Sequence, residues 1–139
     1  MLLNNQIEAT REQFRNLVHN YPKGQPVVMI NILKYKEKVD GSDETGQESY
    51  MRYGKNMAPL LEKHGGKIIW MGKVNHTIIG DDSDQPHTIA LVEWPDIQNF
   101  IDMSTSPEYQ PIAPDRVQAL AYGGLLASST IMGDLGGSK

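Results

Sequence analysis

The run Val27–Tyr35, with the sequence VVMINILKY, constrains the fold of this chain more than any other segment. Large apolar and β-branched residues follow one another in it, without the alternation of a strand that has one wet face. This pattern is typical of a central strand that is covered on both sides. Asn31 is the one polar residue among the first seven positions of the run. The chain therefore needs a sheet around this strand and further layers that bury its faces.

Hydrophobic periodicity and turn residues predict seven further elements along the chain. The predicted helices cover residues 7–20, 48–64, 96–104 and 115–121, and the remaining strands cover residues 67–79, 87–94 and 125–132. Apart from the short helix over residues 115–121, the order is a helix followed by strand, helix, strand, strand, helix and strand. Its last six elements have the α+β order of ferredoxin-like β-α-β-β-α-β domains.

Several residues mark the ends and irregularities of these elements. Thr10 and Gln13 have the spacing of a capping box, so the regular part of the first helix is expected to begin near Thr10. Pro59 is expected to kink or split the second helix, which the pair Gly65-Gly66 ends. Gly72 lies inside a predicted strand, where glycine indicates a bulge or a close backbone approach.

In the predicted fold, the helices cover one face of the sheet and leave the other face open. The strands show little polar alternation, so this open face is expected to be apolar and to mark an association surface. A symmetric homodimer is the simplest way to cover it. We predict a helical extension over residues 1–25, a ferredoxin-like domain over residues 26–132 and a flexible tail over residues 133–139.

Composition argues against several classes of function. The 13 basic and 17 acidic residues give a formal charge of -4, and no basic run supplies the clustered charge that nucleic-acid binding needs. The absence of cysteine excludes disulfides, thiolate nucleophiles and cysteine-based metal sites. No apolar run approaches the ~20 residues of a membrane span, so a soluble cytoplasmic protein is expected. His76 and His87 flank an aspartate-rich turn, but their spacing matches no metal motif; neither a metal nor a cofactor is predicted.

A family resemblance rests on five segments of the sequence. They are Val27–Leu33, Gly46–Gly54, Ala58–Gly66, Val92–Pro95 and Ser106–Gln110. Together they resemble family 1330 of the domains of unknown function (DUF1330), within the dimeric α/β-barrel superfamily, over about residues 26–131. The resemblance implies a ferredoxin-like protomer that pairs sheet to sheet with a second copy to form a barrel. It implies no particular reaction, although related barrel families include cofactor-free monooxygenases, lactone isomerases and haem-handling enzymes.

Asn31 and Glu93 are the most informative polar pair, because each interrupts an apolar strand. The first and third strands of a ferredoxin-like sheet are neighbours, so the two side chains are expected to meet on one face. A half-buried carboxylate has a raised pKa and can act as a general base. The alternative is a structural hydrogen bond, which is the usual role of buried polar groups.

Histidine and aromatic residues supply further candidates. His64 is either an acid or base at the mouth of a cleft or a cation that suits the C-terminus of its helix. The candidates for an aromatic ligand site are Tyr50, Tyr53, Trp70, Trp94 and Tyr109. Packing in the core or in a dimer interface is the alternative for these five.

Arg116 is the basic residue with the clearest candidate role. Its planar guanidinium suits a carboxylate-bearing ligand. A salt bridge with Glu108 or Asp115, both close in sequence, is the alternative.

Two functions are consistent with these candidates. The first is a small enzyme, similar to a cofactor-free monooxygenase or an isomerase, acting on an apolar or aromatic carbonyl metabolite between sheet and helices. In this enzyme Glu93 or His64 moves protons, while Asn31 with Tyr53 or Arg116 holds an oxygen of the substrate. The second is a non-catalytic dimeric module, for ligand binding or a stress response, that uses the same cleft.

Overall fold

The computed structural model describes residues 5–134 of the chain. Its helices are α1 (Arg11–Asn20), α2 (Gly46–Lys63), α3 (Ile97–Ser104) and α4 (Ala113–Ala119), and its strands are β1 (Val27–Tyr35), β2 (Lys67–Lys73), β3 (Thr88–Trp94) and β4 (Leu120–Ser128). The start of the predicted extension and most of the predicted tail, residues 135–139, lie outside the described residues. None of the helices in the described part has the length and hydrophobicity of a membrane-spanning segment.

The four strands form one antiparallel sheet in the order β2-β3-β1-β4. β1 is central, with β3 on one side and β4 on the other, as its largely apolar sequence predicts. α2 connects β1 to β2, while α3 and α4 lie between β3 and β4. This topology confirms the predicted ferredoxin-like α+β fold with an N-terminal helix.

The register of β1 against β3 decides which side chains face the helices. Met29 lies opposite Val92, and both pack in the core beneath the helices. Because successive strand residues point to opposite sides, Ile30 and its partner Leu91 face away from the helices. The two sides of the sheet are called the helix face and the open face.

Two apolar clusters fill the space between the helix face and the helices. The first cluster contains buried residues of β1, β3, α2 and α3, namely Val27, Met29, Met57, Leu60, Trp94, Ile97, Ile101 and Met103. The second cluster joins β1 to the junction of α4 and β4 through Leu33, Ala119 and Leu120. α1 packs against the first cluster through Phe14, Leu17 and Val18, so the extension shares the core of the domain.

Capping residues set where the two longest helices begin. Thr10 and Gln13 form the predicted capping box, and α1 begins at the next residue, Arg11. Thr45 and Glu48 form a second capping box at the start of α2. Each box satisfies backbone N–H groups that have no partner inside the helix.

Of the two effects predicted for Pro59, a kink or a split, the split does not occur, because α2 continues through this residue. Leu60, the next residue, is buried in the first cluster, and this packing outweighs the hydrogen bond that proline removes. Gly65, with a φ of 84°, ends the helix as predicted. The N–H of Gly66 then donates to the carbonyl of Leu61 at 2.9 Å, which pairs one of the last free carbonyls of α2.

Two strands differ from their predicted bounds. β2 ends at Lys73, because Ile78 and Ile79 leave the sheet and are exposed. β4 begins at Leu120, five residues before its predicted start, and ends at Ser128, four residues before its predicted end. α4 correspondingly ends at Ala119. Both predictions relied on apolar residues alone and therefore placed the C-terminal ends of these strands too far along the chain. Pairing with β1 and β3 sets the real limits.

The open face has an apolar centre in which two aromatic rings lie over glycines. Its two central rows are Trp70, Leu91, Ile30 and Leu126, and next to them Gly72, Ile89, Ile32 and Gly124. The ring of Trp70 occupies the space above Gly72, and the ring of Tyr122 occupies the space above Gly124. The close approach predicted at Gly72 is therefore made by a side chain, and the bulge of β2 lies between Ile68 and Trp70.

We expect Gly46→Ala to lower the free energy of unfolding by about 3 kcal/mol, because the start of α2 has no room for a side chain. A Cβ at Gly46 would lie 2.4 Å from the carbonyl oxygens of Lys36 and Ala119. Urea denaturation measures the change. Gly54→Ala in the same helix is the control; nothing lies within 4 Å of its Cβ, and it should add about 0.5–1 kcal/mol. Equal losses at both positions would contradict the close approach.

Candidate functional site

Four tyrosines form a continuous aromatic layer between the two apolar clusters. The ring centroids of Tyr35 and Tyr50 are 5.6 Å apart, those of Tyr50 and Tyr53 5.3 Å, and those of Tyr53 and Tyr109 6.3 Å. Tyr35 and Tyr50 pack against the second cluster, and Tyr53 and Tyr109 against the first. These four residues are called the tyrosine layer.

Helical spacing and strand ends bring the tyrosines together from distant parts of the chain. Tyr50 and Tyr53 are three residues apart on α2 and so share one side of the helix. Tyr35 ends β1, and Tyr109 lies in the turn between α3 and α4. His87 stacks on Tyr35 at 5.5 Å, and its Nδ1 accepts a hydrogen bond from the Tyr35 backbone N–H at 2.9 Å. These contacts hold one end of the layer in place.

The hydroxyl groups of the tyrosine layer are only partly paired. Tyr53 and Tyr109 share a hydrogen bond of 3.0 Å between their hydroxyls, and Tyr35 donates to Oγ1 of Thr88 at 3.0 Å. The Tyr50 hydroxyl has no hydrogen-bond partner within residues 5–134, and it is not sealed from solvent. It is therefore free to bind a ligand.

Burial raises the pKa of two of these phenols further above physiological pH. It raises the pKa of Tyr50 to about 12, against a smaller opposite effect of the Arg116 cation. Burial, followed by the neighbouring Tyr109, raises the pKa of Tyr53 further, and Arg116 again opposes the shift. Both side chains therefore act as hydroxyls rather than phenolates, and the charge of Arg116 reaches both.

Asn31 lies on the helix face between the two clusters. On the same side of β1 it stands between Met29 of the first cluster and Leu33 of the second. Its Nδ2 donates a long hydrogen bond of 3.4 Å to the Ala90 carbonyl, and its Oδ1 accepts none from the described residues. Leu125, its partner on β4, is 41% exposed on this face. The helices thus leave an opening over β1 and β4 in which Asn31 stays half-buried.

Arg116 of α4 borders this opening. Its guanidinium lies over Gly123, where a Cβ would be 2.8 Å from Nη2. It donates to the carbonyl of Gly123 at 3.2 Å and to that of Ile7 at 2.6 Å. Because Gly123 and Leu125 are two residues apart on β4, they share the helix face. Arg116 is therefore next to the exposed side of Leu125.

The carboxylates close to Arg116 in sequence are bound by other cations. Asp115 pairs with Nη2 of Arg52 at 3.0 Å, and Glu108 pairs with Nζ of Lys63 at 2.6 Å. None of the ion pairs found within residues 5–134 includes Arg116. The salt bridges predicted as its alternative role are therefore wrong.

Asn31 and Glu93 do not meet, contrary to the expectation from the sequence. Asn31 lies opposite Ala90, whereas Glu93 lies opposite Val28. Because Val28 and Asn31 are three positions apart, their side chains point to opposite sides of β1. Glu93 is therefore on the open face, across from Lys67 of β2. The predicted strands are neighbours, but the register separates the two side chains.

Trp70 and His64 also lie away from the tyrosine layer. Trp70 is on the open face. His64 follows α2, about 16 Å along the helix axis from Tyr53, and Asn99 donates to its carbonyl at 3.1 Å. Its Nε2 is buried without a hydrogen-bond partner among the described residues. Of the predicted site residues, Tyr53 and Tyr109 share a hydrogen bond, the charge of Arg116 acts on Tyr53, and Asn31 lies on the helix face. Trp70 and Glu93 lie on the open face, and His64 follows α2.

Sequence reasoning missed the part of the site that Tyr35, His87 and Thr88 form. The signal for it was the position of Tyr35 and His87, at ends of two apolar strands that antiparallel pairing places side by side. The free hydroxyl of Tyr50 had no signal in the sequence, because a hydrogen-bond partner becomes visible only in the folded chain.

Comparisons with known proteins agree with the fold. Residues 41–127 match the family described as domain of unknown function DUF1330. A structure of methylated RPA0582 is 25% identical, with a TM-score of 0.86, over 94% of this chain and 98% of that one. RPA0582 from Rhodopseudomonas palustris, described as a protein of unknown function, is 26% identical, with a TM-score of 0.85, over 94% of this chain and 100% of that one.

A more distant structure shows the same fold alone. SnoaB from Streptomyces nogalater, described as a cofactor-independent oxygenase, is 13% identical, with a TM-score of 0.52, over 79% of this chain and 97% of that one. No curated protein matches the sequence.

We expect Tyr50→Phe to stabilise the chain at alkaline pH and to leave its stability unchanged at pH 7. The phenol ionises near pH 10 in the unfolded chain and near 12 in the folded one, so stability is lost as the pH rises through this window. Removing the hydroxyl prevents this loss, which is about 1.4 kcal/mol at pH 11. Urea denaturation at both pH values measures the effect. An equal change at neutral pH would contradict the assignment to ionisation.

Proposed function

Because the chain belongs to the DUF1330 family, whose name records no function, we propose a role from the site itself. The chain binds a small aromatic or apolar metabolite beneath the helices, between Asn31 and the tyrosine layer. Aromatic rings cover the flat body of such a ligand, while a few polar groups bind its oxygen.

The observation that carries this proposal is a pair of polar atoms without protein partners. The Tyr50 hydroxyl and Oδ1 of Asn31 make no hydrogen bond to the described residues. Neither atom is sealed from solvent, so each can exchange water for a polar atom of a ligand. The ring of Tyr53 lies beside Tyr50, where it can cover the flat body of such a ligand.

Binding, rather than catalysis, is the function that the geometry supports best. The side chains predicted to move protons, Glu93 and His64, do not belong to the tyrosine layer: Glu93 is on the open face, and His64 follows the far end of α2. The likeness to SnoaB rests on fold at 13% identity, and a shared fold transfers no reaction. The proposal therefore follows the ligand-binding alternative.

We also propose that a second copy of the chain covers the open face. Its centre carries large side chains that stay accessible, with Trp70 48% and Leu126 55% exposed. Glu93 and Lys34 place charges toward its two ends. An apolar patch with a polar rim is typical of an association surface. Two such faces, packed together, form the barrel that the family resemblance implies.

We expect 2-naphthol, a planar phenol that is uncharged at neutral pH, to bind with a dissociation constant on the order of 0.1 mM. Tyr50→Phe and Asn31→Ala should each weaken binding about five-fold, because each removes one hydrogen bond. Isothermal titration calorimetry at pH 7 measures both.

Tyr122→Phe is the matched control for this titration, since its ring lies on the open face over Gly124. It should leave the affinity for 2-naphthol unchanged. If the control weakens binding as much as Tyr50→Phe does, or if Tyr50→Phe has no effect, the probe binds elsewhere and the proposed site is wrong.

We expect the purified chain to sediment as a dimer and Leu126→Asp to raise the dissociation constant about 100-fold, because association would bury an unpaired carboxylate. Ile131→Asp is the control, since this isoleucine is 98% exposed but lies beyond the end of β4. Sedimentation equilibrium measures the constants, and circular dichroism verifies that both variants fold. A monomeric parent chain, or equal dissociation by both substitutions, would show that the open face is not the interface.

A further inference from the structure

We infer that the natural ligand is a planar organic anion, such as an aromatic carboxylate, whose charged oxygen pairs with Arg116. This inference rests on the proposed ligand site and adds the charge of its occupant.

The carboxylates considered as partners of Arg116 already bind other cations. Asp115 binds Arg52, which also binds Glu44, and Glu108 binds Lys63. Arg116 makes no ion pair with any residue of the described part, so no carboxylate there binds its guanidinium directly. Arg116 is half-buried, and burial makes a bound counter-ion more favourable.

The donors of Arg116 are not exhausted by its structural contacts. A guanidinium has five N–H donors in a planar fork. The carbonyls of Ile7 and Gly123 each accept one hydrogen bond, from Nη1 and Nη2. The remaining donors are available, and a carboxylate is the group whose geometry matches this fork.

Arg116 is the charged side chain that acts on both Tyr50 and Tyr53. Both phenols are neutral at pH 7, and burial raises the pKa of each still further. Asn31, whose Oδ1 accepts no hydrogen bond from the described residues, is an amide. The two phenols therefore lie in the field of a cation, although the chain as a whole carries a formal charge of -4. Such a site favours an anion over an uncharged molecule of the same shape.

The competing explanation is that Arg116 only clamps the N-terminal segment to β4. A clamp needs donors for the carbonyls of Ile7 and Gly123, and it makes no distinction between charged and uncharged ligands. The charge preference of binding therefore separates the two roles.

The test compares 2-naphthoate with 2-naphthamide, two probes of nearly the same shape that differ in charge. By isothermal titration calorimetry at pH 7, the unaltered chain should bind 2-naphthoate about 10- to 30-fold more tightly. Arg116→Gln should reduce this ratio to about one, whereas Arg116→Lys, which keeps the charge but not the fork, should retain part of it. Raising the salt concentration should lower the affinity for 2-naphthoate more than that for 2-naphthamide.

Arg15→Gln is the matched control, because Arg15 is an exposed arginine of α1 that takes part in none of the ion pairs of the described residues, and it should leave the ratio unchanged. Equal or tighter binding of 2-naphthamide by the unaltered chain overturns the inference without any variant, so a folding defect in Arg116→Gln does not obscure the result. If 2-naphthamide binds equally well and Tyr50→Phe weakens it, only the charge assignment fails. If neither probe nor 2-naphthol binds, the proposed ligand site fails with it.

Discussion

The pairing of β1 with both of its neighbours is the interaction on which the rest of the structure depends. It commits Met29 and Leu33 to the two apolar clusters beneath the helices and leaves Asn31 between them. A shift of one residue would exchange the two faces of the strand. It would carry Asn31 to the open face, place Ile30 or Ile32 under the tyrosines, and remove the polar floor of the proposed site.

Contacts outside the proposed site hold α2 and α4, which supply its side chains, in fixed positions. This arrangement favours binding, because a ligand then loses little free energy to ordering the protein. The buried hydroxyl of Ser49 donates to the Asp115 carbonyl at 2.8 Å and accepts from Gln118 at 3.0 Å. Arg52 adds its ion pair with Asp115. These bonds fasten α2, which supplies two tyrosines, to α4, which supplies Arg116.

The two proposed sites lie on opposite faces of the sheet. On the helix face, tyrosine rings contact one another and leave one hydroxyl without a partner among the described residues, which suits a small ligand. On the open face, Trp70 and Tyr122 lie over glycines of their own strands, in an apolar surface suited to a second sheet. Aromatic residues of similar type thus belong to different proposed sites, and the direction of each side chain from its strand decides which.

The sequence by itself determined the elements and their order. The apolar run of β1 predicted a central strand, and the spacing of Thr10 and Gln13 predicted the start of α1, because strand patterns and helix caps depend on residues that are close along the chain. Tertiary structure alone decided that Asn31 and Glu93 face opposite ways and that Arg52 and Lys63 take the acids predicted for Arg116. Register and ion pairing depend on how distant segments pack, and no local pattern records that.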